Sequence, residues 1–244
     1  FQFISIWLVL CFTLQLLFSY LIINNFTKNS FYSFISALLF IFCPILLYRI
    51  PIHVSLAAHW IILLCFYYEI KNVNKVKKEI FYSFIFPLSI LIQFYFLPMV
   101  LVIKYSFLIQ DFISKKNFKK NIKEILIPII PLIFVAYISG YFEVSVFDAM
   151  GFGYGYYSFN LAGLIDSQIF NNTLDWSLFF SDVPNTKGQA EGFSYLGLGG
   201  FILFIFLLIN FFKIKNKHKY IQLPYILMFI ICFILSVSNI IYLG

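Results

Sequence analysis

The chain has little charge and, over its first half, no glycine. Only 11% of its 244 residues are charged, ten are acidic and three are histidines, whereas 62% are hydrophobic. The first glycine is Gly140, and most of the eleven glycines lie within Glu143–Leu198. So low a charge content excludes an ordinary soluble domain and indicates an integral membrane protein.

The four cysteines show no spacing typical of metal ligands. Cys11, Cys43, Cys65 and Cys232 each lie within an apolar run, which favours small buried hydrophobic side chains over disulfides or a metal site. The N-terminal run Phe1–Ile23 also lacks the basic start and the cleavage site of a signal peptide. Because the chain begins directly inside this run, we expect it to be a fragment that lacks N-terminal spans.

The lysines occur in blocks beside apolar runs. Lys71–Lys78, Lys115–Lys123 and Lys213–Lys219 hold most of the 17 cationic residues. This is the distribution that the positive-inside rule gives to cytoplasmic loops, and it argues against a nucleic-acid partner. Lys104 stands alone in an apolar run, and we expect it to extend toward the cytoplasm or to pair with Asp111.

Placing the three lysine blocks in the cytoplasm predicts eight crossings. As one helix, Ile80–Ile113 would be about 50 Å long, and since both its flanks are basic we divide it into two helices that turn near Phe96–Pro98. Prolines are expected to end another helix around Arg49. The expected spans are Phe1–Ile23, Phe31–Leu47, His53–Tyr68, two within Ile80–Ile113, Glu124–Tyr141, Gly199–Phe212 and Tyr220–Ile241.

The predicted fold is therefore an all-α integral membrane protein with about eight transmembrane helices and one large external loop. Residues 1–142 hold the first six helices, residues 143–198 form the external loop, and residues 199–244 hold the last two helices. Arg49 and Lys187 are the cationic residues expected outside.

The external loop carries two patches of candidate binding residues. In Gly151–Asn160 glycines alternate with tyrosines that could stack on a sugar, although an aromatic belt at the membrane interface is an equal alternative. Lys187–Gly200 places Gln189, Glu191 and Tyr195 directly before a membrane helix. Glu191 could act as a base, hold a divalent cation or fix sugar hydroxyls, or it could simply mark the start of the helix.

Further polar residues lie at the outer mouth of a predicted span or within one. Arg49 is suited to bidentate contact with a phosphate. His53 and His59 are six residues apart and would not share a helix face, so no metal site is expected between them. His59 could equally be a core histidine. Gln15 and Gln93 lie in apolar runs, where they could face a cavity or bond neighbouring helices.

Three segments together resemble a bacterial family of multi-pass membrane proteins that is grouped with the GT-C type glycosyltransferases. They are Arg49–Trp60, the stretch from Tyr157 to Asp166, and the motif Gly188–Gly199. The resemblance implies transfer of a sugar from a polyprenyl-phosphate-linked donor on the external face of the bacterial cytoplasmic membrane. It also implies a catalytic acid in a loop that precedes this chain. The substrate-binding residues it implies are Arg49, His53, His59, Asn160, Asp166, Gln189, Glu191 and Tyr195.

Other functions fit the sequence less well. A flippase or transporter for a lipid-linked oligosaccharide would favour charges deep in the membrane and internal repeats, and the sequence shows few such charges and no repeat. A polysaccharide polymerase or ligase would also use a large external loop, but would be expected to carry more external arginines. The expected partners are a polyprenyl-phosphate-linked sugar and membrane lipid.

Overall fold

A computed structural model of the protein describes residues 2–50, 53–71, 73–115, 118–143, 159, 161–164, 195–213 and 219–237. These residues form helices, with no strand among them, which confirms the predicted all-α class. The α-helices are α1 Gln2–Thr27, α2 Ser30–Ile41, α3 Pro44–Arg49, α4 Trp60–Ile70, α5 Lys75–Ile92, α6 Phe96–Lys115, α7 Phe118–Ile138, α8 Gly197–Lys213 and α9 Lys219–Val237. Two short 3-10 helices span Val54–Ala57 and Leu161–Leu164.

Large apolar side chains cover the outside of these helices. Phe3, Ile130 and Phe206 are all more than half exposed, a degree of apolar exposure that soluble proteins avoid. Among the described residues, three helices are long and apolar enough to cross a membrane, at Phe3–Thr27, Ser30–Arg49 and Phe96–Ser114. Shorter apolar helices lie at Val54–Ile70, Gly197–Asn210 and Leu223–Ser236. These are features of a membrane protein, as the composition predicts.

The helix after α1 is interrupted between Ile41 and Pro44, earlier than the break expected around Arg49. Pro44 has no N–H, so it cannot bond the carbonyl of Phe40 four residues before it. The side-chain amide of Gln15 in α1 donates to this carbonyl instead, with an N···O distance of 3.4 Å. Gln15 therefore bonds a neighbouring helix, which is one of the two roles expected for it.

The division of Ile80–Ile113 into two helices is confirmed. Asn74 caps α5 by accepting the Val76 N–H at 3.2 Å, and α5 ends at Ile92. A turn over residues 93–95 follows, and α6 begins at Phe96. The span predicted for His53–Tyr68 corresponds to the apolar helical stretch Val54–Ile70. This stretch is not one continuous α-helix, because the 3-10 helix Val54–Ala57 precedes α4 and the α-helix begins only at Trp60.

The core lies where α1, α4, α5 and α6 meet. Ile61, Phe86 and Val100 are fully buried there beside the thiols of Cys11 and Cys65. Helix α5 packs against α7, and α6 packs against α9. The four cysteines are free; Cys11 and Cys65 are buried as predicted, Cys43 is half-buried and Cys232 is exposed, contrary to the prediction.

Side-chain contacts define two ends of the bundle. At one end, which we call the lysine end, the start of α5 meets the end of α6 and the beginning of α7 through Lys75. At the opposite end, which we call the loop end, the Ser55 hydroxyl donates to Gln93 Oε1 at 3.5 Å. Also at the loop end, the Tyr141 hydroxyl donates to the carbonyl of Ile90 at 2.8 Å.

Candidate functional site

The loop end holds three of the predicted binding residues around the 3-10 helix Val54–Ala57. They are Arg49, His53 and His59. The N–H of His53 donates to the carbonyl of Arg49, the last residue of α3, at 2.8 Å. His59 precedes α4, and its ring meets the ring of Phe96 edge-on with 6.0 Å between the centroids. The 3-10 helix Val54–Ala57 lies between His53 and His59. The structure thus brings these three predicted residues to one place.

The start of α8 reaches the same end of the bundle. Tyr195 is half-buried just before α8, and the next residue, Leu196, donates its N–H to the carbonyl of Leu164 at 3.4 Å. A Cβ on Gly197 would lie 3.4 Å from Cγ of Pro44, the first residue of the helix that ends at Arg49. The start of α8 therefore contacts the beginning of α3, and Arg49 lies at the other end of that six-residue helix.

The other predicted binding residues, Asn160, Asp166, Gln189 and Glu191, lie outside the described residues, as does most of the predicted loop 143–198. Glu191 is also the carboxylate considered for a divalent cation. Within the described ranges, no group of three or more histidine, cysteine, aspartate and glutamate side chains could hold a metal ion.

A second polar site, which the sequence did not predict, lies at the lysine end. It is a cavity of about 360 Å³ between the ends of α4 and α6 and the beginnings of α5 and α7. We call it the lysine-end cavity. Its charged lining consists of Glu69, Lys75, Lys78, Lys104, Asp111 and Glu124.

Two ion-paired groups hold this cavity together. Lys75 Nζ lies 2.6 Å from Glu124 Oε1 and 3.5 Å from Asp111 Oδ2, and Lys78 pairs with Glu69. The two glutamates are buried. Burial opposes a charge on Lys75, but its hydrogen bond to Glu124 and the two nearby carboxylates outweigh this and raise the pKa of the amine. Lys75 is therefore charged at neutral pH and joins α5 to α6 and α7.

Lys104 is buried in the same cavity, and no carboxylate of the described residues lies within salt-bridge distance of it. Its side chain is 3% exposed, and Nζ lies 4.5 Å from the centroid of the Tyr82 ring. Within the described part of the chain it forms no ion pair or hydrogen bond. The predicted pairing with Asp111 is wrong, because Asp111 lies about two helical turns further along α6 and pairs with Lys75. Lys104 instead lines the cavity at the lysine end, the direction in which it was expected to extend.

Some of the charged residues that line this cavity stand out in the sequence. Glu69 and Glu124 each adjoin a lysine block, and Lys104 interrupts an apolar run. What the sequence did not show is that four different helices bring these groups to one place, since that depends on which helix packs against which.

Comparison with known proteins identifies the family but not the activity. The family described as a domain of unknown function, DUF6311, matches residues 1–244, so the chain belongs to this family. Neither the curated proteins nor the solved structures contain a match to the chain.

Proposed function

We propose that this protein is a membrane glycosyltransferase of the GT-C type that uses a polyprenyl-phosphate-linked sugar as its donor. In this proposal the chain crosses the bacterial cytoplasmic membrane eight times, with the lysine end in the cytoplasm and loop 143–198 outside. The distribution of lysines supports the orientation. The likeness of three segments to GT-C type proteins supports the reaction.

The observation that carries the proposal is the grouping of Arg49, His53 and His59 around the 3-10 helix Val54–Ala57 at the loop end. The Arg49 guanidinium is a bidentate donor for the donor phosphate. Sugar transfer with inversion needs a base on the acceptor hydroxyl and a stabilised phosphate leaving group. These residues supply the second requirement, and the polar residues that precede α8 hold the sugar.

The test is transfer of a radiolabelled sugar from a polyprenyl-phosphate donor by membranes that contain the full-length protein. Arg49→Ala should lower the rate roughly 10- to 100-fold, the effect of losing a hydrogen bond to a charged group. Arg49→Lys should retain part of the activity, because the charge remains while the bidentate geometry is lost.

Lys71→Ala is the matched control, because Lys71 is an exposed cation at the lysine end. It should leave transfer unchanged. If Arg49→Ala is as active as the wild type, Arg49 does not bind the donor and the loop end is not the site.

A second candidate function is the movement of a lipid-linked oligosaccharide across the membrane. The buried Glu69, Lys104 and Glu124 favour it, because charges inside a helical bundle are typical of transport pathways. A fluorescent lipid-linked sugar in proteoliposomes separates the two functions. A transporter moves the probe between leaflets without breaking the sugar–phosphate bond, whereas a transferase breaks that bond.

A further inference from the structure

An apolar groove lies beside the lysine-end cavity, between α6 and α7. Its volume is about 520 Å³, and its lining is almost wholly apolar, with Ile122, Ile125 and Ile129 on the α7 side. On α6 it extends from Phe112 to Tyr105, which is roughly 10 Å along the helix axis at about 1.5 Å per residue. We call it the α6–α7 groove.

The groove and the cavity are neighbours. Leu108 lines both, because it lies on α6 between the residues that face the charged cavity and those that face the groove. The polar cavity and the apolar groove therefore lie side by side along the same part of α6. This is the division of space that a lipid needs, with its head among charged groups and its chain among apolar ones.

The charges in the cavity restrict the kind of head that fits. Lys104 is a buried cation with no carboxylate at salt-bridge distance among the described residues, and a buried charge is costly unless it is paired. An anionic group such as a phosphate would supply the partner. The described lining, however, carries three carboxylates as well as three lysines. The carboxylates are already paired with Lys75 and Lys78, and the charges of the lining balance only when Lys104 is counted. A head with negative charge alone would therefore leave the cavity with excess negative charge, whereas a head of both signs keeps the charges balanced.

We propose that the lysine end binds one phospholipid whose head carries a phosphate and a primary ammonium, with the head in the lysine-end cavity and an acyl chain in the α6–α7 groove. The phosphate pairs with Lys104. The ammonium lies toward the mouth, where the side chains of Lys75 and Asp111 are 25% and 36% exposed. This site is separate from the loop-end residues of the proposed function and does not depend on that function.

The test measures lipid binding to the purified full chain in neutral detergent by native mass spectrometry. Phosphatidylethanolamine should bind at least about tenfold more tightly than phosphatidylglycerol, whose head has no positive charge. It should also bind more tightly than phosphatidylcholine, whose methylated ammonium cannot donate hydrogen bonds to the carboxylates. Glycerophosphoethanolamine, which has the same head and no chains, should bind much more weakly because the groove stays empty.

Two variants test the binding of the lipid head and the binding of the acyl chain separately. Lys104→Met keeps the length of the side chain and removes its charge, and it should abolish the preference for phosphatidylethanolamine over phosphatidylglycerol. Ile129→Trp should fill the groove and weaken the binding of every diacyl lipid, while the order of preference among the lipids stays unchanged. The matched controls are Lys77→Met and Ile130→Trp, since both side chains are exposed and line neither space.

The wild-type protein alone can overturn the proposal, so the test does not depend on the folding of any variant. Equal or tighter binding of phosphatidylglycerol or a polyprenyl phosphate would show a site for a purely anionic head. Equal binding of glycerophosphoethanolamine would show a site for a soluble phosphate ester. A preference for phosphatidylethanolamine that survives Lys104→Met in a folded protein would remove Lys104 from the site.

Discussion

Gly197 and Gly199 stand two residues apart at the start of α8, in surroundings that differ sharply. Gly197 has a φ of +75°, in the left-handed region, and its α-carbon faces Pro44. Gly199 has no such backbone angle, and a Cβ there would meet no atom within 4 Å. Both belong to the motif Gly188–Gly199, but the backbone requires glycine at only one of the two positions.

Gly197→Ala should therefore destabilise the protein by about 1–2 kcal/mol, the cost of placing an L side chain in the left-handed region. Gly199→Ala should leave stability unchanged or raise it by up to about 1 kcal/mol, because alanine favours a helix interior. Thermal unfolding of the two variants in detergent measures the difference. Equal melting temperatures would show that the left-handed start of α8 does not constrain the fold.

At the scale of helices, α1 contacts the interrupted α2–α3 segment through the carbonyl of Phe40. This carbonyl lacks the backbone N–H that would normally bond it in a helix. Pro44 leaves the carbonyl of Phe40 unbonded within the helix, and Gln15 replaces the missing N–H. In the hydrocarbon of a membrane no water is present to donate a hydrogen bond to this carbonyl. The helix interruption at Pro44 therefore depends on the side chain of Gln15, which lies in a different helix.

Gln15→Leu should cost about 1–3 kcal/mol, since the Phe40 carbonyl loses its donor in apolar surroundings. In a Pro44→Ala background, residue 44 regains an N–H and the same substitution should cost less. A double-mutant cycle of unfolding free energies isolates this coupling. Additive effects of the two substitutions would contradict it.

The helices could largely be predicted from apolar runs and lysine blocks, and the α5–α6 division followed from length and charge alone. The 3-10 helix before α4 could not be predicted from the sequence, because Val54–Ala57 is as apolar as the helix that follows it. At the loop end, the grouping of Arg49 with the two histidines was predictable because all three are close in sequence. The lysine-end cavity was not, because Lys104 and Glu69 come from helices whose packing the sequence does not reveal.

At the scale of the whole molecule, the lysine end and the loop end lie at opposite ends of α5. The ion pairs of Lys75 and Lys78 lie at the lysine end, whereas neutral hydrogen bonds such as that of Tyr141 join the helices at the loop end. If the lysine end is cytoplasmic, the turn between α5 and α6 must reach the outer surface.

Cysteine labelling tests this orientation. In a protein whose four native cysteines are replaced by serine, Tyr95→Cys in the α5–α6 turn should react with an impermeant maleimide on intact cells. Lys71→Cys should react only after the membrane is opened. Both side chains are exposed, so access depends on the side of the membrane. Labelling of both positions from outside would contradict the eight-crossing arrangement.

The ion pairs at the lysine end show what a tilt of one helix would do at the other end. Lys75 and Lys78 join α4, α5, α6 and α7 at the lysine end. If α5 tilts about these contacts, its displacement grows along the helix away from them. For α5, with 18 residues and a length of roughly 27 Å, a tilt of about 5° shifts the far end by about 2 Å. Such a tilt would move the hydrogen bonds of Ile90 and Gln93 at the loop end by an atomic distance.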